Sequence, residues 1–277
     1  MSALNYKKTS ANKSGSLFAL IDERLSERCR RSLLENGFSL IDVERSDKLS
    51  SPIASHPDMI FARIRDTLTV SREYAQTHKG VMNALQDSLP HIRIYFSDAS
   101  PSQSYPNDRI YNVLVIGKYI FCKSEHIAPE IIRIANENGM TVCHTNQGYP
   151  ACVTLGVGDG FAISSDMGMI ETAKSLGIET LYIPESDKIL LPPYKNGFIG
   201  GCAGVFRDKV YFIGNLDAHP SAKIIRQELL SRGYTAVSLD PSSDSLSDLG
   251  GILFFETNDG TTPSSGASIK PAIPKSE

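Results

Sequence analysis

Three residues whose types suit nucleophilic chemistry stand at the entrances of two predicted strands. His56 and Asp58 precede a strand predicted over residues 59–64, and Cys152 lies at the start of a strand predicted over residues 151–157. A cysteine thiol becomes a nucleophile when an imidazole accepts its proton, and a carboxylate can hold that imidazole in place. Cys152, His56 and Asp58 are therefore candidate catalytic residues for attack on an amidine or amide carbon. An inert buried thiol is the alternative for Cys152, and a capped strand entry is the alternative for the other two.

The elements that must position these residues repeat along the chain. Residues 197–240 show the unit most clearly: a strand, a tight turn, a second strand, a helix that begins at Pro220 and ends before Gly233, and a third strand. Hairpin turns are predicted at Asp66, Lys118, Asp159 and Asp208, with Asp259 after the last strand. By subtraction these positions lie 52, 41, 49 and 51 residues apart. Such a spacing is typical of propellers and solenoids. The same pattern predicts a helix that ends near residue 89 and a strand over residues 110–116.

The two ends of the repeat array complete one another. Residues 17–43 supply a strand, a helix and a strand without a leading strand, and residues 252–256 form a lone strand. A doubly wound sheet fits less well, because tight turns make consecutive strands antiparallel. We therefore predict one α/β domain over residues 17–256, a five-bladed propeller of strand-strand-helix-strand units with pseudo-fivefold symmetry, closed by pairing its first and last strands. Residues 1–16 and 257–277 are predicted to be disordered tails.

Leading strands of a propeller converge on its axis, so the starts of the blades gather at one mouth of the channel. Alignment of the hairpin turns puts Asp58 and Cys152 near the level of Cys202. Cys202 is therefore a rival nucleophile. The neighbouring Gly200 and Gly201 suit either substrate binding or the close approach of strands.

Four further polar residues are candidates for substrate binding. Asp166 and Asn215 lie just before predicted helices, where capping of backbone amides is the competing role. His219 precedes a proline at a helix start, where a cap or a surface position competes. Asp248 stands ahead of two glycines and could bind a cationic group or cap a turn.

Composition and charge exclude several classes of function. The formal net charge of -3 and the pI near 6.1 lack the basic excess that binds nucleic acid. The five cysteines are scattered and form no CxxC pair, which argues against a disulfide framework and a zinc ribbon. Neither a dinucleotide fingerprint nor a phosphate-binding loop is present. We expect no metal, no cofactor and no membrane span. We also expect a cytoplasmic location and a small-molecule substrate. A homo-oligomer is compatible with the sequence.

Several short stretches resemble one protein superfamily. They are residues 56–59, 148–168, 197–201, 215–220 and 248–251. These stretches are similar to an uncharacterised bacterial family of the pentein fold, the guanidino-group-modifying fold of arginine deiminases, amidinotransferases and dimethylarginine hydrolases. The resemblance implies a hydrolase or amidinotransferase that acts on a C–N bond of a small guanidino or amidino compound through a cysteine, with Asp58 or Asp166 binding the cationic group.

Two positions depart from the pattern of the characterised penteins. Those enzymes carry a nucleophilic cysteine a few residues after a Gly-Gly pair in the last unit, where this chain has Phe254. The histidine of their HxD motif is replaced by Asn215. The resemblance therefore leaves two functions open: an enzyme that uses Cys152 instead, and a non-catalytic binding or scaffold protein.

Overall fold

Five three-stranded sheets form the framework of the structure, a computed structural model that describes residues 15–257. The strands are β1 (Leu17–Asp22), β2 (Phe38–Val43), β3 (Phe61–Ile64), β4 (Thr67–Ser71), β5 (Arg93–Ser97), β6 (Leu114–Ile116), β7 (Tyr119–Cys122), β8 (Thr141–His144), β9 (Thr154–Val157), β10 (Phe161–Ser164), β11 (Glu179–Tyr182), β12 (Ile189–Leu190), β13 (Ala203–Phe206), β14 (Lys209–Phe212), β15 (Thr235–Ser238), β16 (Leu246–Ser247) and β17 (Leu253–Glu256). The helices are α1 (Glu27–Glu35), α2 (Pro57–Ile60), α3 (Arg72–Thr77), α4 (Lys79–Ser88), α5 (Pro129–Glu137), α6 (Pro150–Val153), α7 (Met167–Ser175) and α8 (Ala222–Ser231).

All five sheets share one topology. Their strand orders are β17-β1-β2, β3-β4-β5, β6-β7-β8, β9-β10-β11 and β13-β14-β15. In each sheet the middle strand pairs antiparallel with the leading strand and parallel with the third strand. A helical connection is needed for each parallel pair, which is why helices follow the hairpins. The predicted strand-strand-helix-strand unit is therefore present in the sheets as well as in the sequence.

The first and last described strands pair with each other. Leu17 of β1 lies opposite Glu256 of β17, and Leu20 lies opposite Leu253, in antiparallel register. This pairing gives the fifth sheet its leading strand, and the prediction that the two incomplete ends combine is confirmed. The predicted tails lie outside the described residues apart from positions 15, 16 and 257.

The apolar core lies between the sheets and their helices. Helix α5 shows the pattern: Ile131, Ile134 and Ala135 form a buried stripe at the spacing of one helix face. The middle strand β10 is buried at every position, because a helix covers one of its faces and neighbouring sheets cover the other. Residues that precede the leading strands, such as Asn112 and Cys152, are buried as well.

Two predicted strands begin later than expected, because short helices precede them. The predicted starts at Met59 and Ala151 are wrong: α2 and α6 occupy these positions, and the strands begin at Phe61 and Thr154. Each of the two helices has a proline in its first turn. The fixed φ of proline and its missing N–H suit that position.

Two other predictions are corrected by the structure, and one pair of strands is new. The strand predicted over residues 110–116 is confined to β6, after a 3-10 turn at Asn107–Arg109. The single helix predicted to end near residue 89 consists of α3 and α4, which meet at His78. A parallel pair of short strands, β12 and β16, was not predicted.

Candidate active site

Helices α2 and α6 bring Asp58 and Cys152 into contact. Each helix has four residues and leads directly into a leading strand. The thiol of Cys152 donates a hydrogen bond to Oδ2 of Asp58 at 2.9 Å, across 94 positions of sequence. The structure therefore joins a potential nucleophile directly to a potential base.

The side chain of Asn112 holds this pair in place. Its Nδ2 donates to Oδ2 of Asp58 at 3.1 Å and lies 3.3 Å from Sγ of Cys152, and its Oδ1 accepts from the backbone N–H of Ala151 at 3.0 Å. Asn112 is 1% exposed. Sequence analysis missed this residue, although it stands two positions before β6, as Cys152 stands two positions before β9.

The imidazole of His56 lies beside two carboxyl groups but is hydrogen-bonded to neither. Its Nδ1 is 3.9 Å from Oδ1 of Asp58 and 3.9 Å from Oδ1 of Asp248, and neither ring nitrogen has a partner. The prediction that the imidazole accepts the thiol proton differs from the structure, in which Cys152 donates to Asp58. His56 precedes α2 in extended conformation, so the helical turn directs the next carboxyl toward the thiol instead.

Asp248 contributes the second carboxyl group of the site. Its Oδ2 accepts from the backbone N–H of Phe198 at 2.9 Å, and its Oδ1 accepts from that of Gly250 at 3.3 Å. A side chain at Gly201 would collide with this carboxyl, and one at Gly200 would collide with backbone carbonyls of α6. These two glycines therefore allow the backbone to pack closely against the site.

Burial governs the protonation of these groups. It raises the pKa of Asp58 to about 6, although the hydrogen bonds from Cys152 and Asn112 lower it. Burial, followed by the charge of Asp58, raises the pKa of Asp248 to about 7. Burial and the two carboxyls raise the pKa of the Cys152 thiol well above its usual value, and burial lowers the pKa of His56 to about 3. The site therefore carries a neutral imidazole, a protonated thiol and carboxyls that ionise near neutral pH, which favours a cationic ligand.

A cavity of about 310 Å³ opens onto the thiol. Its lining consists of Ile53, His56, Met59, Asp108, Tyr149, Cys152, Leu191, Tyr194, Asn196, Phe198 and Asp248. Asp58 lines a neighbouring cavity of about 240 Å³, which is bounded by the leading strands of all five sheets. The larger cavity has the size of the smaller ligand sites, which begin at about 300 Å³. The thiol–carboxyl pair therefore lies between the two cavities.

Residues 20–253 match the family of unknown function DUF6873. The chain belongs to this family. No curated protein matches it. Solved structures similar to this DUF6873 chain include dimethylarginine dimethylaminohydrolase, at 12% identity and a TM-score of 0.54, covering 87% of this chain and 100% of that one. They also include SxtG, an amidinotransferase from Microseira wollei, at 12% identity and a TM-score of 0.52, covering 92% and 98%.

A third similar structure is an agmatine deiminase from C. jejuni with substrate bound. Its identity to this chain is 9% and its TM-score is 0.51, with 94% of this chain and 100% of that one covered. At such low identity the likeness concerns the fold. The predicted resemblance to the pentein fold is confirmed by these three structures.

In this DUF6873 chain, three of the predicted binding residues lie outside both cavities. Asp166 is the N-cap of α7, and its Oδ1 accepts from the backbone N–H of Met169 at 2.8 Å. Asn215 caps the 3-10 turn that follows it. His219 is buried, and its Nδ1 accepts from the backbone N–H of Ser221 at 3.0 Å. The structure gives all three residues local backbone partners and does not bring them to Cys152.

Two further findings concern metal binding and membrane insertion. Within residues 15–257, no cluster of three or more histidine, cysteine, aspartate or glutamate side chains is arranged to hold a metal ion. In the same part of the chain, no helix has both the length and the apolar content needed to cross a bilayer.

Proposed function

We propose that this protein is an enzyme that acts on a C–N bond of a small guanidino or amidino compound, with Cys152 as nucleophile. The observation that carries the proposal is the 2.9 Å hydrogen bond from the Cys152 thiol to Asp58, beside a ligand-sized cavity that also holds Asp248. Two carboxyls near one thiol match a planar cation whose central carbon is electrophilic. The similar solved structures of hydrolase, amidinotransferase and deiminase support this reaction class.

The proposed arrangement of the sheets is a five-bladed propeller. Support comes from the 240 Å³ cavity, whose lining includes residues from each of the five leading strands. If those strands surround a common axis, residues that precede them meet at one end of it. Asp58, Asn112, Cys152 and Asp248 all precede leading strands. The five cysteines are free, which fits a single domain in a reducing, cytoplasmic compartment.

In the proposed reaction, Asp248 and Asp58 bind the cation and Asp58 then accepts the thiol proton. A nearby cation favours the thiolate, so the raised thiol pKa falls when substrate binds. The sulfur lone pair forms an S–C bond, and the C=N electron pair moves to nitrogen. Collapse of this adduct breaks the bond to the leaving nitrogen, which takes the proton from Asp58. Water, or an acceptor amine, then attacks the same carbon, and sulfur leaves and recovers a proton.

His56 stays neutral throughout the reaction because of its lowered pKa. Its two unpartnered ring nitrogens provide one donor and one acceptor. Its distance of 3.9 Å from each carboxyl shortens to a hydrogen bond with only a small movement. Both distances are measured from Nδ1, so we assign His56 the task of donating its single N–H to the carboxylate of Asp58 or Asp248 when the substrate fills the cavity.

The proposal is tested by alkylation with 2-chloroacetamidine, a cation, and 2-chloroacetamide, its neutral counterpart. Peptide mass spectrometry measures the rate at each cysteine. At each cysteine, the rate with chloroacetamidine is divided by the rate with chloroacetamide. We expect this ratio to be at least about tenfold higher at Cys152 than at Cys143, since a charge-assisted contact contributes about 1.5–3 kcal/mol. Cys143 is a matched control because it is partly exposed and lines neither cavity. Labelling of Cys152 no faster than the other four thiols would refute the proposal.

One observation favours a second function, a binding protein without chemistry. Phe254, at the place of the usual nucleophile, is buried against Phe38 with ring centroids 4.6 Å apart. It is therefore part of the core. A guanidino compound that raises the melting temperature without turnover or selective labelling of Cys152 would support this second function, because any ligand that prefers the native state stabilises it.

A further inference from the structure

Besides Asp248, a second carboxyl group lines the cavity that holds Cys152. Asp108 is 7% exposed and lines this cavity. Its Oδ2 accepts a hydrogen bond from the hydroxyl of Tyr149 at 2.6 Å, whereas its Oδ1 has no partner. A buried acceptor without a donor costs free energy, and buried polar atoms in native proteins are almost always satisfied. Asp108 therefore borders the cavity and carries a buried acceptor oxygen without a partner in the described part of the chain.

Asp108 is separate from the carboxyl pair beside the thiol. Among residues 15–257, no hydrogen bond or ion pair joins it to Asp58, Asp248 or His56. Its only side-chain partner is Tyr149, the residue that precedes α6. The cavity thus offers acceptors at two places, one near Cys152 and one at the tip of Tyr149.

No lysine or arginine is among the described residues that line this cavity. The neighbouring Arg109 is buried, donates from Nε to the carbonyl of Pro106 at 3.2 Å and lies 4.2 Å from the centre of the Tyr105 ring. Its Nη1 is buried without a hydrogen-bond partner among the described residues, and Arg109 is not among the residues that line the cavity. An anionic ligand group would therefore meet carboxyls without a compensating cation, which is unfavourable in a buried site.

Apolar side chains form most of the remaining lining. Leu191, Tyr194 and Phe198 come from one segment, and Ile53 and Met59 come from the segment around α2. Such walls favour a methylene chain, because contact with them removes apolar surface from water. The cavity therefore combines a site for a guanidinium group, an apolar passage and a second hydrogen-bond acceptor.

We propose that the substrate is a dication: a guanidino group at Cys152 and Asp248, joined by a short aliphatic chain to an ammonium group that binds Oδ1 of Asp108. This proposal rests on the proposed function, whose site it extends. Asp108 is a specificity-determining residue in this scheme, and the reacting atoms stay at the other acceptor site.

The test is equilibrium binding to a Cys152→Ser variant of the full chain, which retains the cavity but lacks the thiol. The three probes share one chain length: 4-aminobutylguanidine, butylguanidine and 4-guanidinobutanoate. We expect the first to bind about 10- to 100-fold more tightly than the second, because a hydrogen bond to a charged group contributes about 1.5–3 kcal/mol. The carboxylate-ended probe is expected to bind most weakly.

An added Asp108→Asn substitution should remove the preference for the amine while leaving butylguanidine binding intact. Retained binding of butylguanidine shows that the variant is folded. Asp159→Asn, at an exposed turn, is the control for loss of one negative charge and should keep the preference. Equal binding of the amine and alkyl probes, or tighter binding of the carboxylate, would overturn the inference.

The outcomes separate the two proposals. Binding of butylguanidine without preference for the amine, together with selective labelling of Cys152 in the native protein, overturns the dication alone. Preference for the amine that depends on Asp108, without labelling or turnover, supports the dication and refutes the catalytic role of Cys152. Absence of binding by all three probes overturns both.

Discussion

Two thiols occupy similar positions in two repeat units but have different surroundings. Cys152 lies in α6 just before β9, and Cys202 ends the 3-10 turn just before β13. Cys152 donates to the carboxyl of Asp58, whereas Cys202 donates to the backbone carbonyl of Ile199 at 3.2 Å. Both are buried, and burial raises the pKa of both. The difference lies in the side chains that other units bring to each thiol.

The comparison shows how a repeat can hold a single reactive site. Cys202 is 0% exposed and packs in an apolar cluster with Val210 and Phe212. Cys152 has a cavity on one side and Asp58 on the other. A base within hydrogen-bond distance and access for a ligand are what an activated nucleophile requires. Both units carry a thiol at this position, but only Cys152 has a base and a ligand cavity next to it, and the base comes from another unit.

The largest expected effect comes from exchanging each thiol for a hydroxyl. Cys152→Ser should lower the turnover of 4-aminobutylguanidine by at least about 1,000-fold, as loss of a nucleophile does in other enzymes. Cys202→Ser should leave turnover almost unchanged and lower the unfolding free energy by about 1–2 kcal/mol, because a polar group replaces a buried thiol. Steady-state kinetics and urea unfolding measure the two effects. Equal loss of turnover in both variants would remove the distinction between the thiols.

The pH dependence of cation binding gives an effect of intermediate size. Butylguanidine should bind Cys152→Ser at least about tenfold more tightly at pH 8 than at pH 5, since Asp58 and Asp248 are protonated below about 6 and about 7. Isothermal titration calorimetry at several pH values measures this. An added Asp248→Asn substitution should reduce the change in butylguanidine affinity around pH 7. A pH-independent affinity in both proteins would contradict the assignment of these carboxyls.

The same carboxyls predict the sign of the stability change without ligand. The folded state holds their protons more tightly than the unfolded chain, where aspartate titrates near 3.8. The unfolding free energy contributed by Asp248 should therefore fall as pH rises from about 4 to about 7, by a few kcal/mol at most. The Asp248→Asn variant lacks this contribution. Its unfolding free energy, relative to that of the native protein, should therefore rise as pH rises from about 4 to about 7.

The smallest expected effect concerns Asn112, which links Asp58 to α6. Asn112→Ala removes one of the two hydrogen bonds to Oδ2 of Asp58 and leaves the backbone N–H of Ala151 without this partner, which should cost about 1–3 kcal/mol in urea unfolding. It should also reduce the selectivity of chloroacetamidine for Cys152. Asp166→Ala is the matched control, which should cost about 1 kcal/mol through loss of a helix cap and leave that selectivity unchanged. Unchanged selectivity in Asn112→Ala would show that Asn112 supports only the fold.

The sequence predicted the parts of the fold that depend on local patterns. Apolar periodicity and turn residues give the repeat unit, and the two incomplete ends predict the pairing of β1 with β17. The repeat spacing also brings Cys152 and Asp58 to one level. These predictions depend on the spacing of residue types along the chain and need no contact between particular side chains.

The remaining features depend on contacts between distant residues. Asn112 bonds to Asp58 and to Cys152 across 54 and 40 positions, and no local pattern distinguishes it from a turn asparagine. The thiol meets Asp58 rather than His56 because α2 is helical where a strand was predicted. Asp108 is distinguished by an unpartnered oxygen at a cavity wall, which is a property of the folded chain.

The pairing of β1 with β17 also affects the order in which the protein folds. Thr257 bonds to Ser16 across 241 positions. Closing this sheet therefore has an unfavourable loop-closure entropy, and it joins residues that are far apart in sequence. On the ribosome, β1 has only β2 as a partner until residue 256 has been synthesised. Asp248, which completes the site, lies just ahead of β17 and is synthesised almost as late. A nascent chain therefore carries the Cys152 thiol for 96 residues of synthesis before Asp248 is added.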